Sequence, residues 1–221
     1  MAYRRTERIE ARLADNRARI LHAARTLVAE HGFRETQVAL VASLADVAVG
    51  TVYRYFPSKA DLFAEIVRAV SQREVDVLRE IADSDGTASE RLGAAVRAFA
   101  SRALRGRRLA YAVIAEPVDP EVDDVRLEYR RIHCSTFERI VREGIDEGQF
   151  PAQDVAASAA CLVGAFIEGL VGPLAMESAD RHGDGAKLID AIERFALRAV
   201  SGKEPAGAAG SQRSRRARWI D

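Results

Sequence analysis

The 221-residue sequence predicts an all-α fold, a small N-terminal three-helix unit of helix-turn-helix type followed by a larger helical C-terminal domain. Three observations point there. Apolar residues recur at three- and four-residue spacing through nearly every segment, which is the period of one helix face. Strand-like alternation is scarce. The composition, 48% hydrophobic, 30% charged and 6% aromatic, is that of a soluble Ala-, Leu- and Arg-rich helical protein.

Within 16–30, Ile20, Ala24, Leu27 and Val28, with His31 next, trace one face of a first helix, and Gly32 stands where a C-cap glycine belongs. Thr36 can cap a second, short helix that turns Val38, Val41, Ala42 and Ala45 inward. Residues 46–48 make a tight break. A third helix over 49–56 ends at Pro57, and Ser58 can cap a fourth that buries Leu62, Phe63, Ile66, Val67 and Val70. Residues 83–86 close it. Further helices are expected over 89–104, 108–115, 121–147, 154–170 and 187–200, with breaks at Gly106 and at the stretches EPVDP, EGQFP and DRHGDG. The chain therefore divides into a basic N-terminal arm (1–15), a helix-turn-helix unit (16–58), a connecting helix (59–83), a C-terminal domain (84–202) and a flexible basic tail (203–221).

Two short helices joined by about three residues and packed by longer neighbours form the arrangement in which the second short helix enters a DNA major groove. On the third helix, Val52 and Phe56 lie four apart and face the core. Gly50, Thr51, Arg54 and Tyr55 then turn outward, with Tyr53 at the margin. An arginine, two hydroxyls and a glycine that permits close approach suit base edges and phosphate oxygens.

Net charge adds nothing here, since Lys plus Arg and Asp plus Glu both total 33. Local charge does: Arg4, Arg5, Arg8, Arg12, Arg17 and Arg19 crowd the start, and Arg213, Arg215, Arg216 and Arg218 the end. Either cluster can touch DNA phosphates, which adds affinity without sequence information.

Cys134 and Cys161 sit in helix interiors without metal-site or disulfide spacing, so buried free thiols in a reducing cytoplasm are expected. No apolar stretch follows the N-terminal charges, so no signal peptide is expected. Residues 155–176 are long enough to span a bilayer of about 30 Å. They are rich in Ala and Gly and carry Glu168 and Pro173, which suits a helix buried on all sides inside protein. Glu168 would then need a partner, Arg194 or Arg198, or a ligand. Catalytic signatures are missing: no Gly-x-Ser-x-Gly elbow, no P-loop, no Gly-x-Gly-x-x-Gly, and His22, His31, His133 and His182 show no metal-ligand spacing. No enzyme, metal or cofactor is expected.

The segments ILHAARTLVAEHGFRET and VASLADVAVGTVYRYFPSKADLF resemble the DNA-binding domain of the TetR family of bacterial transcriptional regulators. Gly32, Phe33, Thr36, Ala42, Ala45, Val47, Gly50, Val52, Tyr53, Tyr55, Phe56, Ser58, Lys59 and Leu62 fall on matching positions. The resemblance implies that Thr36 caps its helix and touches phosphate, that Thr51 and Arg54 reach the groove, that Tyr53 and Tyr55 contact the DNA backbone, and that Lys59 pairs with phosphate. Three departures stand out: Asp46 replaces the usual Gly of the turn, Ala48 replaces a capping Ser, and Val49 is apolar where a polar residue is common. Val49 is suited to a thymine methyl.

The resemblance further implies a cytoplasmic homodimer on a double-stranded, palindromic operator, released by a small-molecule effector, and the apolar helices suggest a hydrophobic one. Tyr111, Glu116, Arg130, His133, Phe137 and Glu168 lie on segments the family uses for its pocket. Small residues at Ala156, Ala159, Ala160, Gly164 and Gly172 allow close helix approach, with Leu162, Val163, Phe166, Ile167 and Leu170 between them. Paired with Ile189, Ile192, Phe195, Ala196, Ala199 and Val200, they would build a four-helix bundle across a dimer. Two alternatives remain at this level: a helical dimeric protein–protein interaction module without an operator, and a DNA-binding protein whose C-terminal domain only dimerises.

Overall fold

The computed structural model describes residues 2–175 and 185–202, so the DRHGDG break, apart from its last residue Gly185, and the basic tail lie outside the described residues. The described residues form helices only: α1 (Ala2–Glu35), α2 (Val38–Leu44), α3 (Val49–Tyr55), α4 (Lys59–Ala82), α5 (Ala88–Arg105), α6 (Arg107–Ile114), α7 (Pro120–Asp146), α8 (Val155–Leu174) and α9 (Gly185–Ser201).

The expected arm at 1–15 is the beginning of α1, because its Ala, Arg and Glu residues are strong helix formers uninterrupted by Gly or Pro. The helix is broken at Gly32 (φ 80°, ψ 177°), a conformation that favours glycine. His31 is exposed rather than inward, one position past the end of the buried face. Beyond the break Phe33 turns into the core, 4.6 Å from the Phe63 ring.

The axes of α2 and α3 are bent by 102° across a turn in which Asp46 adopts φ 51°. Aspartate tolerates that left-handed geometry better than most residues. Arg19 on α1 steadies the turn, donating to the Ala45 carbonyl at 2.6 Å and lying 3.6 Å from the Asp46 carboxylate. Neither short helix has a side-chain cap: Gln37 and Ala48 occupy the N-cap positions and make no capping bond. Thr36 is therefore no cap. It is 1% exposed and its hydroxyl donates to the Gly32 carbonyl at 2.6 Å, using the acceptor that the helix break left free. By contrast α4 opens on a full capping box, the Asp61 amide donating to Ser58 Oγ and the Ser58 amide to the Asp61 carboxylate, each at 3.0 Å. An equivalent box, Thr87 with Glu90, opens α5.

Two apolar clusters hold the molecule together. The larger lies among α4, α5, α7, α8 and α9, around Leu92, Phe99, Phe137, Ile140, Phe166 and Leu170. The other gathers Ile20, Val28, Phe33, Val41, Val52, Phe56, Leu62 and Ile66, together with Ala112 and Val113 of α6 and Val122 and Val125 of α7. The N-terminal unit thus borrows part of its core from beyond residue 84.

One described helix, Val155–Leu174, is long and apolar enough to cross a membrane. Its Leu162, Val163, Phe166 and Leu170 are buried against the subunit's own core, but Ala156, Ala160, Cys161, Gly164, Glu168 and Gly172 are exposed. Within the single subunit α8 is therefore not buried on all sides: its large residues and Ala159 meet neighbouring helices, and the other face is open. Cys161 is accordingly an exposed thiol, not a buried one, and Cys134 is half-buried.

Candidate nucleic-acid interface and cavity

Helix α3 is seven residues long, and its two inward anchors decide everything else on it. Val52 and Phe56 are buried at 1% and 2% exposure, and the Phe56 ring carries the Arg17 guanidinium 5.2 Å from its centroid. Val49, Gly50, Tyr53 and Arg54 are exposed and Thr51 is half-buried. The two tyrosines exchange their expected places: Tyr53 is 46% exposed, whereas Tyr55 is half-buried and packs on the core. Tyr55 is held by the apolar cluster that also takes Val41, Val52 and Phe56. A Cβ added at Gly50 would meet nothing within 4 Å, so this glycine leaves open space outside the helix rather than relieving a contact within the fold.

Arg54 has no hydrogen bond or ion pair with any described residue. Lys59, half-buried at the start of α4, sits 5.0 Å from the Phe63 ring. Thr36 faces inward, which removes its side chain from the exposed set. Leu40 and Leu44 on α2, at 48% and 55% exposure, were not anticipated. They fall four apart, opposite Val41 and Ala45, and that spacing was the available signal. The face presented by α2 and α3 is therefore one free guanidinium among apolar and hydroxyl-bearing groups, of sizes that suit thymine methyls and sugar edges.

The second feature is a partly open cavity of about 360 Å³ lined by α1, α4, α5, α6, α7 and α8. Val70, Phe99, Leu109, Val113, Ile114 and Ile167 supply apolar wall, and Arg25, Arg73, Arg102, Arg105, Arg126 and Arg130 supply charge. Glu74 is the one carboxylate in the lining, and Arg102 occupies it with a fork of bonds at 3.0 and 2.7 Å. The remaining arginines give the cavity a positive bias.

His133 lines this cavity and is buried at 6% exposure, edge-on to Phe99 at 6.0 Å. Its Nε2 has no hydrogen-bond partner, and burial lowers its pKa from 6.5 to about 4, so the ring is neutral at physiological pH. Burial also lowers the pKa of Arg126, partly offset by its bond to Asp123 at 2.8 Å.

Of the six residues placed in the pocket from sequence, Arg130 and His133 line this cavity. Phe137 is sealed in the core against Phe166, and Tyr111 packs half-buried against the same cluster. Glu116 and Glu168 instead flank an adjoining cleft of about 430 Å³. Glu168 is exposed and makes no ion pair with Arg194 or Arg198, so the expected buried carboxylate is a surface one. Glu116 accepts from the Phe33 and Arg34 amides, each at 2.9 Å. Arg126 and Tyr129 were missed. With Arg130 and His133 they share one α7 face at three- and four-residue spacing, continuous with Val122 and Phe137.

The expected dimer set is redistributed in the same way. Leu162, Val163, Phe166, Ile167, Leu170 and Ile192 are buried within the subunit and Ile189 is half-buried, leaving Phe195 exposed at 57%. The large side chains of α8 and α9 are used to join those helices to α5 and α7, and small residues form the outward face.

Residues 20–66 match the family described as "Bacterial regulatory proteins, tetR family", and residues 85–168 match the "Tetracyclin repressor-like, C-terminal domain". Together they span more than half the chain. The fatty acid metabolism regulator protein of Bacillus subtilis is 26% identical over 133 residues, 59% of this chain and 68% of that protein. The repressor KstR of Mycobacterium tuberculosis is 50% identical over 48 residues, 22% of each chain. A crystal structure of the Bacillus subtilis regulator FadR, in complex with stearoyl-CoA, shares the fold at a TM-score of 0.71 and 22% identity, covering 83% of this chain and 98% of that one.

Proposed function

Because this chain belongs to the TetR family of bacterial regulatory proteins, we propose that it is a DNA-binding transcriptional repressor, a cytoplasmic homodimer released from a palindromic operator by a small amphiphilic effector. The observation that carries the reading is the exposed face of α3, where Arg54 stands unpaired beside Val49, Gly50, Thr51 and Tyr53. Each α3 would enter one major groove, with half-sites one helical turn, about 34–36 Å, apart. Arg54 reads a base edge, Val49 and Leu44 meet thymine methyls, and Tyr53 and Lys59 hold the phosphate backbone.

Fragments selected by the purified protein from its own genome define the operator. On that operator Arg54→Ala is expected to lose about 10- to 100-fold in affinity and to relax preference at one base pair, the scale of one good base contact. Since Arg54 is exposed and unpaired, its circular dichroism should match wild type. Unchanged affinity in a gel-shift series would sink the groove assignment. Binding should also weaken steeply with salt, as phosphate contacts require. An interaction module without an operator has no such dependence on duplex DNA.

Dimerisation is assigned to the outward faces of α8 and α9, where Ala156, Ala160, Cys161, Gly164 and Gly172 permit close approach and Phe195 supplies the large apolar contact. Phe195→Glu is expected to yield monomers in sedimentation analysis at micromolar concentration and to weaken operator binding. A variant that remains dimeric would move the interface elsewhere.

For the effector, an apolar wall with an excess of arginines favours a molecule with a hydrocarbon body and an anionic group. The stearoyl-CoA bound by the Bacillus subtilis neighbour is of that kind.

A further inference from the structure

A helix broken at Gly32 leaves unpaired groups on both sides of the break. Both sides are answered from α6 and the turn after it, about eighty residues away in sequence. Before the break, the Glu30 carbonyl accepts from Arg108 Nε at 3.1 Å. After it, the Phe33 and Arg34 amides donate to the two oxygens of Glu116, each at 2.9 Å. The fit is close: a Cβ at residue 32 would lie 2.8 Å from Glu116 Oε2.

Glu116 is itself held from the cavity side. Its backbone carbonyl and that of Ala112 both accept from Arg126 Nη2, at 2.8 and 2.6 Å. These carbonyls belong to the end of α6 and the turn that follows. Arg126 is half-buried, lines the cavity, and has a buried Nε without a partner. An acidic or carbonyl group entering the cavity meets a guanidinium whose other bonds hold the Glu116 turn in place. On the far side, the Gly32 carbonyl accepts from Thr36 Oγ1 at 2.6 Å, immediately before α2. A continuous series of hydrogen bonds thus runs from the cavity wall to the start of the helix-turn-helix.

Resting on the effector reading above, we propose that Arg126 and Glu116 are the positioning pair through which occupancy of the cavity is felt at the DNA-binding helices. Arg126 sets the turn, Glu116 sets the α1 break, and Thr36 carries that geometry to α2. A shared two-arrangement element of this kind is what coupling between distant sites requires.

The test needs neither operator nor effector, so its failure is distinguishable from failure of the functional reading. Amide hydrogen exchange is followed in the full chain at Phe33 and Arg34, with Val67 and Leu78 as reporters of global opening. Glu116→Ala is expected to speed exchange at Phe33 and Arg34 at least tenfold while the reporters stay at the wild-type rate. Glu116→Gln, with one acceptor oxygen in place of two, should give a smaller loss. Arg126→Gln touches neither amide, yet should accelerate both severalfold, and combining it with Glu116→Ala should add nothing further. Arg126→Lys serves the same purpose if the Gln variant is poorly folded. Tyr129→Phe, which alters the same cavity wall but removes only a bond to Gln72, should leave both amides unchanged. Wild-type exchange at Phe33 and Arg34 in both Arg126 variants overturns the relay, as does acceleration of the reporters by the same factor. Unchanged exchange in Glu116→Ala overturns the clamp itself.

Discussion

Gly144→Ala is expected to cost the folded chain about 3 kcal/mol, the upper range for forcing extra volume into a packed site. A Cβ there would lie 2.2 Å from Phe150 Cδ2, 2.3 Å from Cε2 and 3.1 Å from the Ala88 Cβ. The phenyl ring is buried and has no room to withdraw. The surrounding backbone is equally committed. Gln149 N–H donates to the Gly144 carbonyl at 2.8 Å and Gly148 N–H to that of Ile145 at 3.0 Å, with Gly148 at φ 73°, which is a Schellman ending for α7. The same corner caps α5, since the Ala88 and Ser89 amides donate to the side chains of Glu147 and Gln149 at 3.3 and 3.0 Å. Urea denaturation should show a lower midpoint for the variant at an unchanged slope. An unfolding free energy within about 0.5 kcal/mol of wild type, the usual effect of a surface change, would mean that Phe150 is not fixed where it is seen.

Acidification is expected to remove up to about 3 kcal/mol of stability through His133 alone. The folded imidazole has a pKa of about 4, against 6.5 for an exposed ring. Between those values the unfolded chain carries a proton that the folded chain refuses. The contribution is therefore complete above about pH 6.5 and drains away as pH falls toward 4. His133→Leu removes both the titration and the unpartnered Nε2, whose burial costs about 1–3 kcal/mol. Its stability should exceed wild type at pH 5 by about 2 kcal/mol more than at pH 7.5. Equal slopes for the two proteins over that interval would locate the acid sensitivity elsewhere.

Much of this architecture was legible in the sequence because it rests on local rules. Val52 on the short α3 and Phe56 at its C-cap lie four apart, and both are buried. Ser58 precedes Asp61 by three, and they form the capping box. Gly106 separates α5 from α6. What escaped depends on residues distant in the chain. Thr36 has the composition of a cap, but the Gly32 break presents its hydroxyl with a nearer acceptor. Tyr53 and Tyr55 trade exposure because the shared N-terminal core reaches Tyr55 and leaves Tyr53 outside. Arg126 looks like any charged residue of a solvated helix until the cavity, one α6 carbonyl and one from the following turn surround it. The apolar residues of α8 look like an interface until α5 and α7 claim them, which leaves the outward face to alanine, glycine, Cys161 and Glu168.

The apolar cluster that unites Ile20, Val52 and Ile66 with Ala112, Val113, Val122 and Val125 sets a limit on modularity. A chimera that grafts residues 1–83 onto a foreign sensor would carry an open seam where α6 and α7 belong, so the DNA reader is inherited with part of the sensor attached. Such a chimera must be cut after about residue 125, or have its seam rebuilt side chain by side chain.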